Sequence, residues 1–262
     1  GRFDYLNTGL GLTAPAELQV PSPFDFPEQC LLIVPPNLPA PNQPDYNRAV
    51  VEQFQKILAI TGGKTLGLFT SYRNLRYVAE ELKKLDRPIY VQGEKPRSRL
   101  IEQFKQEIES TLLGTESFWS GIDCPGETLS CLVIDKLPFP PPDDPLTEVI
   151  TMRNSRWFEE YSLPKAIIML RQGFGRLIRT KNDRGVVVIL DSRIRNKYYG
   201  KLVLASLPAC QRADDIAAIQ TFLGQPTIPQ TTKTEPPACS QPVKRPRRQS
   251  PPRKTPRKKR SK

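Results

Sequence analysis

Two arginines three residues apart, Arg176 and Arg179, close the run Gln172–Arg179 (QGFGRLIR). Residues three apart share one face of a helix, and the spacing predicts such a helix here. Gly175 sits just before the first arginine, so a ligand or a second backbone can approach closely. An apolar run, Ala166–Leu170, lies upstream, and a buried strand, Gly185–Leu190, is expected after the turn Lys181–Arg184. Paired guanidiniums at the edge of an α/β core suit the clamping of a phosphoryl group. Charge spreads over its oxygens in the transition state, and planar, permanently charged donors match it. The plainer reading is a pair of solvated arginines, or arginines paired with nearby Asp183.

A second constellation is Leu113–Gly126 (LGTESFWSGIDCPG). It begins on an apolar strand and runs into a loop rich in Gly, Thr, Ser and Asp. Loops at strand ends are where open α/β sheets bind ligands. Gly121 permits a tight turn near a phosphate, and Asp123 can hold ribose hydroxyls or a water network. Otherwise Asp123 is a turn residue capping local amides. Phe118 and Trp119 either stack on bases or pack inward, with burial the favoured reading. A third constellation ends the strand Leu66–Phe69 with Thr70, Ser71 and Tyr72. Hydroxyls and an aromatic at a strand end can grip a nucleic-acid backbone. Ser71 can also N-cap the helix Tyr72–Leu85 that follows.

The elements that must position these groups alternate. Strands are expected at Cys30–Val34, Leu66–Phe69, Ile89–Val91, Leu112–Leu113, Ser130–Asp135 and Gly185–Leu190. Helices are expected at Tyr46–Ile60, Tyr72–Leu85, Arg97–Glu109 and Leu146–Tyr161, then from Pro164 through the arginine pair, and at Tyr198–Leu207. The proline-rich stretch Leu137–Pro145 excludes regular structure. Alternation of this kind defines a mostly parallel sheet with helices on both faces. Residues 1–29 read as a loop-rich lead-in, 30–212 as the α/β domain, 213–224 as a possible last helix, and 225–262 as a disordered tail.

Composition limits the classes of function. The 262 residues carry 39 Lys and Arg against 27 Asp and Glu, a formal net charge of +12. Eleven of the basic residues fall in Lys244–Lys262, which leaves 28 basic against 27 acidic residues before it. The excess is a property of the tail, suited to tethering nucleic acid without sequence preference, to a nuclear address, or to solvation alone. The five cysteines are irregularly spaced and the chain has no histidine, so neither a zinc site nor an iron–sulfur site is expected. Cys30 and Cys131 read as small core residues. No apolar run is long enough to span a membrane and no secretory signal is visible, so a cytoplasmic protein is expected.

The three constellations occur in order with KLPFPPPDDP (Lys136–Pro145) and DRGVVVILDSR (Asp183–Arg193). Together they resemble the C-terminal motor domain of the DinG-type helicases, relatives of XPD in helicase superfamily two. The resemblance covers about Ser22–Pro208 and implies a RecA-like fold of the P-loop NTPase type. It implies that Leu68–Tyr72 is the fourth helicase motif, with Thr70, Ser71 and Tyr72 touching single-stranded DNA. Gln92-Gly93 is similar to the short element that follows it. Thr115–Gly121 and Asp123 resemble the fifth motif, in which Thr115 contacts DNA and Gly121 and Asp123 couple that contact to the nucleotide. Gln172, Gly175, Arg176 and Arg179 match the sixth motif, Q-x-x-G-R-x-x-R. In the family its arginines reach across a cleft to the γ-phosphate of ATP, and translocation runs 5′ to 3′.

The departure is that a first motor domain, with its phosphate loop, acidic box and often an iron–sulfur cluster, is not recognisable here. Gly62-Gly63-Lys64-Thr65 is not a substitute. Leu58 stands where the loop's first glycine belongs, and the GKT leads into a strand instead of opening a helix. The expectation is half of an ATP-dependent DNA helicase, inactive alone. ATP and Mg2+ would be held mainly by the missing domain, in cis or in trans. The alternative is a stand-alone nucleic-acid-binding module without ATPase activity.

Overall fold

The computed structural model describes residues 3, 7, 9–13, 15–20, 22–119 and 129–224. Gly121, Asp123 and the basic tail lie outside the described residues, so the expectations attached to them have no structural counterpart here.

Seven strands form one parallel sheet in the order β3-β4-β2-β5-β6-β1-β7. They are β1 (Cys30–Ile33), β2 (Thr65–Leu68), β3 (Ile89–Val91), β4 (Thr111–Gly114), β5 (Cys131–Ile134), β6 (Gly185–Ile189) and β7 (Gln211–Ala213). The central strands are buried at every position because both faces are covered. Side chains alternate between the faces. In β6, Val187 and Ile189 join one core, while Val186 and Val188 join the other.

The first core lies under α4 (Arg97–Gln106), α5 (Glu116–Trp119), α7 (Leu163–Leu177) and α9 (Gly200–Ser206), the second under α2 (Tyr46–Thr61), α3 (Tyr72–Leu82) and α10 (Ala218–Gly224). The remaining helices are α1 (Phe26–Gln29), α6 (Pro145–Arg153) and α8 (Arg193–Asn196). Helix α2 shows why the periodicity was legible. Tyr46, Val50, Val51, Phe54, Ile57 and Leu58 make a buried stripe at helical spacing, with the intervening positions mostly polar. The layout is the expected RecA-like α/β fold.

Four expectations change. The helix predicted through both arginines ends at Leu177, with Ile178 already extended. Asp183 explains the stop. Its carboxylate accepts from the backbone amides of Arg179 (2.8 Å) and Thr180 (2.7 Å) and from the Thr180 hydroxyl (2.8 Å). That turn competes with helix continuation.

The helix expected over Leu146–Tyr161 is broken after Arg153 by extended Asn154, whose side chain accepts from the Arg156 amide at 2.8 Å. A π-helical turn, Phe158–Ser162, then leads into α7. The helix expected at Tyr198–Leu207 is confined to Gly200–Ser206. The short segment Gln211–Ala213 forms an edge strand, β7, paired with β1, which no apolar alternation announces.

The Gly62-Gly63-Lys64-Thr65 segment is a turn at the N-terminal edge of the sheet, leading into β2. Gly62, Gly63 and Lys64 have φ of 71°, 115° and 50°. A Cβ on Gly63 would run into the backbone of Glu109. Substituting Gly63→Ala should therefore destabilise the domain by about 3 kcal/mol through left-handed strain plus a backbone clash. Urea unfolding checks this, and a loss below about 0.5 kcal/mol would show that the turn relaxes freely.

Candidate functional site

Because every strand runs the same way, the strand exits share one edge. The connection after β2 travels toward β3 and β4, and the one after β4 returns past β2 to β5. Such a reversal opens a crevice outside the carboxyl ends of the strands. A cleft of about 510 Å³ lies there, lined by Thr70, Ser71, Tyr72, Gln92 and Thr115, with Phe139 and its neighbouring prolines also contributing. The groups expected from the fourth motif and the start of the fifth thus come together in one place.

Gln92 joins them. Its side-chain oxygen accepts from the Thr115 amide (2.6 Å) and hydroxyl (3.1 Å), and its amide nitrogen donates to the Tyr72 hydroxyl. Tyr72 remains 50% exposed, so its ring faces the solvent with its hydroxyl anchored. Ser71 caps α3 by accepting from the Asn74 amide at 3.3 Å. Phe118 and Trp119 are 1% and 2% exposed, which decides the question of stacking against packing in favour of packing. Gly114 belongs to that packing, since a Cβ there would strike the Phe118 side chain.

Beneath the cleft lies a polar network that the motif reading did not single out. Asp135 leaves β5 fully buried. One carboxylate oxygen accepts from the amides of Thr70 (2.9 Å) and Lys136 (2.7 Å), the other from the Asn74 side chain (3.4 Å). The Tyr46 hydroxyl donates to the Asp135 carbonyl. Burial pushes the Asp135 carboxyl up to about 6, against the opposing pull of Lys136 and the donated hydrogen bonds. Burial likewise lowers the Lys136 ammonium, which sits 4.9 Å from the Tyr46 ring centroid.

Asp191, at the exit of β6, is also fully buried. It accepts from the Leu137 amide (2.8 Å) and takes a two-pronged bond from Arg193 (2.9 and 2.6 Å). The Arg193 guanidinium lies over the Phe139 ring at 5.2 Å. The proline-rich wall of the cleft is therefore tied down by an ion pair and a cation–π contact. The available signal was a carboxylate ending an apolar run with a cation close behind, in Leu132–Lys136 and Val186–Arg193.

The sixth-motif residues lie apart. The cleft reaches α7 only through Lys165 and Met169, earlier in that helix. Gln172 and Gly175 are exposed near the end of α7. Arg176 and Arg179 are half-buried, Arg176 within the helix and Arg179 in the turn beyond it. A Cβ on Gly175 would meet nothing within 4 Å. Among the described residues no group of three or more His, Cys, Asp or Glu is placed to hold a metal, and no helix is long and apolar enough to cross a membrane.

A parallel sheet covered by helices on both faces, with a polar crevice at its carboxyl edge, defines a RecA-like α/β domain. The helicase C-terminal domain family model matches residues 54–210, and the chain belongs to that family. It is 41% identical over 228 residues to the ATP-dependent DNA helicase YoaA of Escherichia coli, covering 85% of this chain and 36% of that protein. It is 39% identical over 232 residues to the ATP-dependent helicase DinG of Mycobacterium tuberculosis, covering 85% of this chain and 35% of that one. The chain thus spans about a third of the length of these curated relatives. A solved XPD helicase shares the fold with a TM-score of 0.57 at 21% identity, covering 71% of this chain and 35% of that one.

The buried Asp135 makes a prediction with a definite sign. Its folded value is raised, so its contribution to stability is fully present below the ordinary carboxylate range and is lost as pH rises through about 6. A shift of this size corresponds to about 3 kcal/mol. Asp135→Asn keeps an acceptor for Thr70 and Lys136 but cannot ionise. The stability of the wild type relative to this variant should fall by about 2 kcal/mol between pH 4 and pH 7. Urea titrations at stepped pH measure it, and parallel curves for the two proteins would contradict a perturbed carboxyl.

Proposed function

We propose that this chain is the C-terminal motor half of an ATP-dependent DNA helicase. In this reading 30–212 is the motor domain, 1–29 its lead-in and 225–262 a basic extension. The observation that carries it is the cleft lined by Thr70, Ser71, Tyr72 and Thr115, with Gln92 bonded to Tyr72 and Thr115, in a chain with DNA helicases as relatives.

Hydroxyls and amides on such an edge suit the phosphate backbone of single-stranded DNA, and an exposed tyrosine suits a base face. Arg176 and Arg179 would reach the γ-phosphate of an ATP whose phosphate loop and Mg2+ belong to a first motor domain, supplied in cis or in trans. Gln172 would sense the nucleotide from the same helix end, and Gly175 leaves room for the opposing domain. Gly121 and Asp123 would couple that cleft to the DNA contact. Closure on ATP and opening after hydrolysis would advance the strand, 5′ to 3′ as in the DinG-type family.

A stand-alone nucleic-acid-binding module is the second reading, favoured by the concentration of eleven basic residues in Lys244–Lys262. Two measurements separate the readings. This chain alone should bind single-stranded DNA without hydrolysing ATP. Within a protein that also carries the first motor domain, Arg176→Ala or Arg179→Ala should lower DNA-stimulated hydrolysis by on the order of 10³–10⁵ while leaving DNA affinity nearly intact. Wild-type turnover in both variants would sink the arginine assignment. Hydrolysis by the isolated chain would mean that it carries a nucleotide site of its own.

A further inference from the structure

Cys30 and Cys210 lie 180 positions apart in sequence, and the sheet brings them side by side. Strands β1 and β7 are parallel neighbours, with Leu31 opposite Gln211. One step back in each chain places Cys30 opposite Cys210. Both side chains belong to the same core, on one face of the sheet, and Cys210 is the neighbour that acts most strongly on the Cys30 thiol. Cys30 is completely buried, whereas Cys210 is half-buried at the sheet edge. Cys131 is buried in the core on the opposite face, so it does not compete for either partner.

We propose that Cys30 and Cys210 form an oxidisable thiol pair whose disulfide staples the C-terminal edge strand to the sheet. The two sulfurs have different tasks. The neighbouring Cys210 and burial hold the Cys30 thiol well above its ordinary value, so Cys30 stays protonated and is a poor first nucleophile. Cys210 is the one that an oxidant can reach. With a peroxide as oxidant, the Cys210 thiolate attacks one peroxide oxygen. The O–O bond breaks and hydroxide leaves, which gives a sulfenic acid. The Cys30 sulfur then attacks the Cys210 sulfur. The S–O bond breaks, and the departing hydroxide takes the Cys30 proton away as water. Two electrons pass from the thiol pair to one peroxide, and a thiol-based reductant reverses the bond by exchange.

The location decides the consequence. Strand β7 is an edge strand whose one strand partner among the described residues is β1, and α10 follows it onto α2. A disulfide at the start of β7 would close a loop of about 180 residues and restrict the opening of this edge. Cys30 and Cys210 stand at the N-terminal ends of their strands, and the Tyr72–Gln92–Thr115 cleft lies at the carboxyl edge. Oxidation should therefore change local stability without changing binding at the cleft.

The test is to treat the folded chain with hydrogen peroxide, alkylate the remaining thiols, digest without reduction and map the peptides by mass spectrometry. The expected product is one peptide pair joined through Cys30 and Cys210, lighter by two hydrogens and separated by dithiothreitol. Cys210→Ser should abolish it and Cys131→Ser should leave it intact. In parallel, oxidation should raise the thermal unfolding midpoint of the wild type by several degrees and leave that of Cys210→Ser unmoved. Sulfinic acid at Cys210 with Cys30 still free, or a cross-link to another cysteine, would overturn the pairing. An oxidised protein with a lowered midpoint would overturn the staple.

Discussion

A buried carboxylate holds the exits of two neighbouring strands together. Asp135 leaves β5 where β2 gives way to Thr70, and its oxygens bind the amides of both exits and the side chain of Asn74 on α3. Backbone amides leaving a sheet have no ladder partners, and burying them unpaired would cost more than the net gain of an ordinary hydrogen bond. One acceptor group therefore fixes the position of Thr70, the entry of α3 and the turn at Lys136. The cost is an ionisable group in an apolar setting, which burial pushes toward its neutral form. The Thr70 side of the cleft rests on that compromise, because Asp135 binds both the Thr70 amide and Asn74 at the start of α3.

The second layer of positioning is the row of polar groups above this carboxylate. Gln92, from the exit of β3, reaches Thr115 at the exit of β4 and Tyr72 at the start of α3. Two strand exits and one helix start are thus tied together by hydrogen bonds. Asp191 and Arg193 do the same for the opposite wall, where Leu137 and Phe139 would otherwise belong to an unsupported proline-rich loop. Displacement of one exit would be passed to the others through short, directional bonds.

The legible parts of the molecule are those governed by local chemistry. Apolar runs gave six of the seven strands, a buried stripe gave α2, and Ser71 announced the start of α3. The turn before β2 was readable from consecutive glycines, and its left-handed angles bear this out. The unreadable parts depend on a distant or competing partner. Strand β7 consists of Gln, Arg and Ala and exists only because β1 offers an open edge. Asn154 and Asp183 each satisfy nearby amides with their own side chains, which ends a helix that periodicity would extend. The long-range arms of the Asp135 and Asp191 networks join residues 54 or more positions apart, beyond the reach of local periodicity.

The arginine end of α7 is built differently from the cleft. Gly173 packs within ordinary contact of Leu132 and Trp119, whereas Gly175, two residues on, faces open space. The helix is thus locked to the core on one side and left clear on the other. Helix propensity alone favours alanine at an open helical position by about 1 kcal/mol, so a glycine there sacrifices stability that the fold could retain. Among the described residues nothing comes within 4 Å of a Cβ at Gly175. Under the proposed function, that open face is where an opposing domain would approach, beside Arg176 and Arg179.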